Sequence, residues 1–132
     1  MTCLLDTHTL ICSLLWPDKL PGKVVSSLED QGNAILVSAI SFWEISLKYS
    51  LGKLDLQGIY PHEIPHHAGE AGFGLLHLSP EEASTYHELP GTWHGDPFDR
   101  MLIWQAMRQD MVLVTGDADI WKYRQEGLKL LW

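Results

Sequence analysis

Short apolar runs alternate with amphipathic stretches along the chain. Short apolar runs bounded by polar residues are typical of buried strands, and they predict strands at Thr2–Leu5, Ala34–Val37, Leu75–Leu78, Met111–Val114 and Leu128–Leu131. Apolar residues at helical spacing, together with capping and turn residues, predict helices over Thr7–Leu15, Lys23–Asp30, a stretch from Ser38 or Ser41 to Gly52, a stretch from Pro80, Pro97–Gln109 and Ile120–Tyr123. Such alternation predicts an α/β fold with a parallel sheet covered by helices on both faces.

Length and composition narrow the class of protein. A chain of 132 residues without repeats or linkers predicts a single domain spanning 1–132. No apolar run approaches the roughly 18 residues of a membrane span, and the N-terminus lacks the basic region of a signal peptide. Two cysteines, Cys3 and Cys12, fit a reducing compartment better than a disulfide framework. We therefore expect a cytoplasmic protein that does not associate with membranes.

The net charge excludes one common way of binding nucleic acid. Seventeen acidic residues against nine basic ones give −8, whereas binding by charge alone needs a basic surface. An acidic chain that binds phosphate groups needs another source of positive charge. Clustered carboxylates that hold a divalent cation would supply it.

Four acidic residues stand where such a cluster would form. Asp6 ends the first predicted strand, Asp117 follows the fourth, and Glu44 and Asp99 lie in the helices before strands three and four. Sites in open α/β sheets form beyond the carboxyl ends of the strands. Four gathered carboxylates raise each other's pKa unless a cation relieves the repulsion, and Mg²⁺ or Mn²⁺ prefers oxygen ligands. Each acid taken alone also fits a cap, a turn or a solvent-facing position.

Two further acids and one histidine motif have other interpretations. We expect Asp96, before Pro97, and Asp119 to cap the helices that follow them, although either could orient a ligand or a water. The segment His62–His66 matches the zinc-peptidase pattern H-E-x-x-H, but Pro65 would disturb the helix that the pattern requires unless it stood in the first turn, and no third ligand follows at a convincing spacing. An aspartyl phosphatase would need an acid two residues after Asp6, where His8 stands instead.

Several motifs together resemble a known family. MTCLLDTHTL, VSAISFWEISLKYSLGKLDL, DPFDRMLIWQA and LVTGDADI are similar, in order and spacing, to the PIN-domain toxins called VapC. The resemblance covers nearly the whole chain. It implies a three-layer α/β/α sandwich with a five-stranded parallel sheet of order 3-2-1-4-5.

The resemblance also implies an activity and a set of site residues. The activity is Mg²⁺- or Mn²⁺-dependent endoribonuclease cleavage by the toxin of a toxin–antitoxin module, which implies an antitoxin partner and a homodimer. Asp6, Glu44, Asp99 and Asp117 match the catalytic acids, of which Asp6, Asp99 and Asp117 would be the metal ligands. The supporting positions are Thr7, Thr115 and Arg100.

Two features of the resemblance leave alternatives open. Arg100 would either contact phosphate or form a structural ion pair. His94-Gly95-Asp96 departs from the commoner His-Arg-Asp and so lacks one positive charge near the site. A catalytically silent PIN-like module that binds RNA or protein is therefore the alternative to an active nuclease.

Overall fold

The computed structural model describes residues 1–132 and contains a single five-stranded sheet. The strands are β1 (Thr2–Leu5), β2 (Ala34–Ser38), β3 (Gly74–Leu76), β4 (Val112–Val114) and β5 (Lys129–Leu131). They are all parallel, in the order β3-β2-β1-β4-β5. This order and the parallel pairing confirm the predicted fold class.

Seven α-helices connect and follow the strands. They are α1 (Thr7–Leu15), α2 (Gly22–Glu29), α3 (Ala39–Ser50), α4 (Ile64–Glu70), α5 (Pro80–Thr85), α6 (Pro97–Arg108) and α7 (Ala118–Trp121). Short 3₁₀ turns lie at Pro17–Lys19, Pro61–Glu63, Tyr86–Glu88 and Lys122–Glu126. None of the helices is long and apolar enough to cross a membrane.

The central strand β1 is buried on both of its faces. Alternate side chains of a strand point to opposite sides of the sheet. Cys3 and Leu5 accordingly belong to one apolar cluster, which includes Leu10 of α1. Leu4 belongs to a second cluster, which includes Leu102 of α6. The core therefore lies in two layers, one between the sheet and each set of helices.

Serine residues fix the starts of two helices. Ser38 is the N-cap of α3, since its Oγ accepts the backbone N–H of Ile40 at 3.1 Å. Of the two serines that the sequence offers as the N-cap of this helix, Ser38 is therefore the one that caps it, and Ser41 lies within the helix. Ser79 and Glu82 form a capping box at the start of α5, with reciprocal hydrogen bonds of 3.0 and 3.1 Å, as this sequence pattern predicts.

One predicted cap is wrong. Asp119 does not cap the short helix α7; Asp117 does, because its Oδ1 accepts the N–H groups of Asp119 and Ile120 at 2.8 and 3.2 Å. The helix therefore begins at Ala118, two residues before the predicted start. Asp119 is exposed and its carboxylate pairs with Lys122.

Candidate functional site

The four acids singled out in the sequence line one cleft beyond the carboxyl end of the sheet. This cavity has a volume of about 540 Å³. We call it the acidic cleft and define it by its lining residues, which are Asp6, Thr7, His8, Ile11, Glu44, Ile45, Lys48, Lys53, Leu54, Asp99, Gly116, Asp117 and Trp132. Asp6 and Asp117 reach it from the ends of two adjacent strands, β1 and β4. Glu44 and Asp99 reach it from α3 and α6.

Asp6 is held in place by the helix that it caps. Its Oδ1 accepts the backbone N–H of Thr9 at 2.7 Å, and its own N–H donates to the carbonyl of Val114 at 3.1 Å. The residue is only 5 % exposed. Burial raises the pKa of Asp6, although hydrogen bonds from Thr115 and Thr9 act against the rise. A charged Asp6 is therefore costly unless a cation lies beside it.

Asp99 and Asp117 share a histidine. The Nε2 atom of His94 lies 3.0 Å from Oδ2 of Asp99 and 3.2 Å from Oδ2 of Asp117. The Nδ1 atom of the same ring accepts the backbone N–H of Asp96 at 3.1 Å. A neutral imidazole has one donor and one acceptor nitrogen, so Nε2 carries the proton and donates it to the two carboxylates. Sequence reasoning missed His94 as a site residue.

The two carboxylates that contact His94 have opposite pKa shifts. Burial, followed by the negative charges of Asp96 and Glu44, raises the pKa of Asp99 to about 7. Burial alone would also raise the pKa of Asp117, but the N–H groups of Ile120 and Asp119 and the hydrogen bond from His94 bring it below its ordinary value. Without a cation, Asp99 is therefore only partly ionised near neutral pH, whereas Asp117 is charged.

Glu44 has a buried carboxylate oxygen with no partner. Oε2 forms an ion pair with Nζ of Lys48, one helical turn further along α3, but Oε1 is buried and has no hydrogen-bond partner. Leaving a buried acceptor unsatisfied costs about 1–3 kcal/mol, and more for a charged group. Unsatisfied buried groups of this kind often mark the place of an ion or a water.

Of the supporting residues, Thr7 lines the cleft, whereas Thr115 and Asp96 position the segments that carry its acids. Thr7 lines the cleft, where its hydroxyl donates to Ser41 at 3.0 Å. Thr115 lies behind the cleft, and its hydroxyl accepts the backbone N–H of Asp117 at 3.1 Å. Asp96 caps α6 through the N–H groups of Phe98 and Asp99, as predicted.

Arg100 does not line the cleft. Its guanidinium donates to the hydroxyls of Tyr123 and Tyr86 at 2.6 and 3.0 Å and to the carbonyl of Gly91 at 2.9 Å. Of the two roles left open in the sequence, the geometry favours a structural one, although it is a hydrogen-bond network rather than an ion pair.

The H-E-x-x-H segment does not form a metal site. Pro65 stands in the first turn of α4, where proline is tolerated, but Glu63 accepts a hydrogen bond from the backbone N–H of Tyr60 and the histidines of this segment belong to no group of potential metal ligands. His66 pairs with Glu70 on the surface at 3.4 Å. The cluster of potential metal ligands that the structure does contain is His94, Asp99 and Asp117, whose ligand atoms lie within 4.8 Å of one another.

The chemistry of the cleft fits a hard divalent cation. The potential metal ligands in the cleft are carboxylate oxygens, which Mg²⁺ and Mn²⁺ prefer. One of these oxygens, Oε1 of Glu44, is buried without a hydrogen-bond partner. The protonated Nε2 of His94 faces the carboxylates as a donor and so does not act as a ligand in this arrangement. Asp6, Glu44, Asp99 and Asp117 are therefore the residues suited to hold such an ion.

The elevated pKa of Asp99 predicts a pH dependence of stability in the presence of EDTA. The folded chain keeps this proton up to pH about 7, whereas the unfolded chain loses it near 3.8. Between these values the folded state binds more protons, so this contribution to the free energy of unfolding falls as pH rises through 7. Wild type should therefore gain stability relative to Asp99→Asn as pH falls from about 8 to about 5.

Thermal unfolding of both proteins in EDTA measures this difference. The comparison with Asp99→Asn isolates the contribution of this one carboxyl group. A difference between the two proteins that stays constant with pH would contradict the expected elevation. Millimolar Mg²⁺ should remove the gain at low pH, because a cation favours the charged carboxylate.

A comparison against protein-family models agrees with the fold. The model described as "PIN domain" matches residues 3–125, which is nearly the whole chain. The chain therefore belongs to the PIN domain family, as its sequence motifs imply.

The similar proteins include a VapC protein and VapBC complexes. Ribonuclease VapC22 from Mycobacterium tuberculosis (strain ATCC 25618 / H37Rv) is 25 % identical over 134 residues, covering 99 % of this chain and 98 % of that protein. A chain of VapBC2 from Rickettsia felis, solved bound to a promoter DNA fragment, has a TM-score of 0.69 at 18 % identity and covers 100 % and 99 % of the two chains. VapBC-1 from nontypeable Haemophilus influenzae has a TM-score of 0.67 at 19 % identity, covering 99 % and 97 %. The resemblance to VapC is thereby confirmed.

Proposed function

We propose that the protein is a divalent-metal-dependent endoribonuclease and the toxin of a type II toxin–antitoxin module. The observation that carries the proposal is the acidic cleft, which is lined by four carboxylates from four segments and in which one buried oxygen of Glu44 lacks a partner. RNA as the substrate is supported by the likeness to Ribonuclease VapC22, which extends over the whole length of both chains.

Within this proposal the acids have separate roles. Asp6, Asp99 and Asp117 would hold Mg²⁺ or Mn²⁺. A divalent cation lowers the pKa of a bound water and offsets the charge that develops on a phosphodiester during hydrolysis. Glu44 would complete the set of ligands or orient the attacking water. His94 would keep Asp99 and Asp117 together through its shared proton.

A partner protein is part of the proposed function. The solved relatives from Rickettsia felis and Haemophilus influenzae are VapBC assemblies, one of them on promoter DNA. We infer that this chain is likewise bound by a small antitoxin that blocks its cleft, and that it forms a homodimer. A chain with a net charge of −8 gains no general attraction to RNA, so its activity would depend on the local chemistry of the cleft.

Purified protein incubated with total RNA tests the activity. Cleavage should occur with millimolar Mg²⁺ or Mn²⁺ and stop with EDTA, and the fragments should carry 5′-phosphate and 3′-hydroxyl ends. Sequencing those ends would identify the RNA that is cut. Cleavage that persists in EDTA would contradict a metal-dependent mechanism, and intact RNA under every metal would favour the silent binding module.

A further inference from the structure

Two lysines form the cationic part of the acidic cleft. Lys48 and Lys53 line it, and no arginine does. Arg100, the basic residue that follows Asp99 directly, is engaged with tyrosine hydroxyls and backbone carbonyls instead. A polyanion that enters the cleft therefore meets positive charge on one wall only, the wall formed by the end of α3 and the residues after it.

The end of α3 places the two lysines next to each other. The backbone N–H of Lys53 donates to the carbonyl of Lys48 at 2.9 Å, and the N–H of Gly52 donates to the carbonyl of Tyr49 at 3.0 Å. These two bonds are those of a Schellman motif, which needs a left-handed residue after the helix. Gly52 supplies it with φ of +70°. The chain thus reverses at Gly52 and returns Lys53 to the side of Lys48.

Each lysine remains available to a ligand. The Lys48 side chain is 42 % exposed although its ammonium pairs with Glu44. Lys53 is exposed and forms no ion pair. An ammonium on a flexible stem binds phosphate as a point charge with three donors.

We propose that Lys48 and Lys53 are the phosphate-binding wall of the cleft and hold the RNA backbone beside the acidic cluster. This inference rests on the proposed function, because it assigns the RNA a place in the same cleft. It also explains how the chain binds its substrate although Gly95 stands where the commoner His-Arg-Asp motif has an arginine. The competing role for Lys48 is to neutralise Glu44 without touching RNA.

Binding measured in a Glu44→Gln background separates these two roles. Glutamine removes the charge that Lys48 would otherwise neutralise, and it is expected to leave the RNA uncut during the measurement. The probe is a fluorescein-labelled single-stranded RNA oligonucleotide in Mg²⁺, its integrity checked on a denaturing gel and its Kd followed from about 50 to 200 mM salt. The variants are Lys48→Ala, Lys53→Ala, both together, and Lys48→Arg.

Lys23→Ala is the matched control. Lys23 is exposed on α2, lies outside the cleft and forms no ion pair, so its removal changes the net charge by the same amount. Each single alanine variant of the cleft should weaken binding about tenfold at low salt, and the double variant should weaken it further. Each should also reduce the slope of log K against log salt by about 0.7, the value for one phosphate contact on a single strand. Lys48→Arg should restore both, and Lys23→Ala should change neither.

Lysine variants that bind like Lys23→Ala would overturn the proposal. So would a Lys48→Ala variant that lowers cleavage with Glu44 present but binds RNA normally in the Glu44→Gln background, since that pattern means neutralisation of Glu44. The result is independent of catalysis. A further outcome would be that wild type fails to cut RNA with any metal while the lysine variants still bind RNA more weakly and with a smaller salt dependence. That result would support the phosphate-binding wall and refute the nuclease assignment.

Discussion

Replacing Asp6 with asparagine is expected to abolish metal-dependent RNA cleavage while leaving the fold intact. Loss of one ligand from the acidic cleft removes several kcal/mol of charge stabilisation, which corresponds to a rate at least about 10³-fold lower. Asparagine caps helices as well as aspartate does, so the bond to the N–H of Thr9 that starts α1 is retained. Initial rates of cleavage of a defined RNA, with and without Mg²⁺, measure the effect.

The loss of activity in Asp6→Asn should not be accompanied by a loss of thermal stability. Burial raises the pKa of Asp6, which means that its charge opposes folding at neutral pH. In EDTA the Asp6→Asn protein should therefore melt no lower than wild type, whereas Mg²⁺ should stabilise only wild type. Asp119→Asn is the matched control, because Asp119 is exposed and pairs with Lys122; its cleavage rate should stay within about twofold of wild type. Undiminished cleavage by Asp6→Asn would refute the metal-site assignment.

The positions of Asp6 and Asp117 follow from the sequence for a simple physical reason. Short apolar runs mark buried strands, and parallel strands end at the same edge of a sheet. The two acids that follow β1 and β4 therefore meet once those strands pair, which they do. Glu44 and Asp99 were also selected from the sequence, from their places in the predicted helices before strands three and four, and the family resemblance pointed to the same residues.

His94 could not be found in this way. It lies in the segment between α5 and α6, which has no apolar periodicity, and it contacts Asp117 across 23 residues of sequence. Loops of this kind are positioned by tertiary contacts rather than by local pattern. Lys48 was also not predicted, although its position four residues after Glu44 on one helix is a recognised spacing for an ion pair.

The loop that carries His94 is held by one arginine side chain. The guanidinium of Arg100 donates to the carbonyls of Gly91, Leu89 and His94 at 2.9, 3.4 and 3.4 Å. It also donates to the hydroxyl of Tyr123, which is fully buried. These bonds satisfy loop carbonyls that no strand or helix satisfies. Arg100 thus connects α6, the loop before it and the buried tyrosine after α7.

Replacing Arg100 with leucine should therefore cost about 1.5–3 kcal/mol of unfolding free energy, because the hydroxyl and carbonyl groups lose hydrogen bonds to a charged donor. Arg108→Leu on the same helix is the control, since Arg108 forms a surface pair with Glu81 and should cost at most about 1 kcal/mol. Urea unfolding measures both. Because the loop holds His94 against Asp99 and Asp117, Arg100→Leu should also lower RNA cleavage under conditions in which the variant is still folded. An Arg100→Leu protein as stable as Arg108→Leu would show that the loop is positioned by other contacts, with Arg100 left free for a different role.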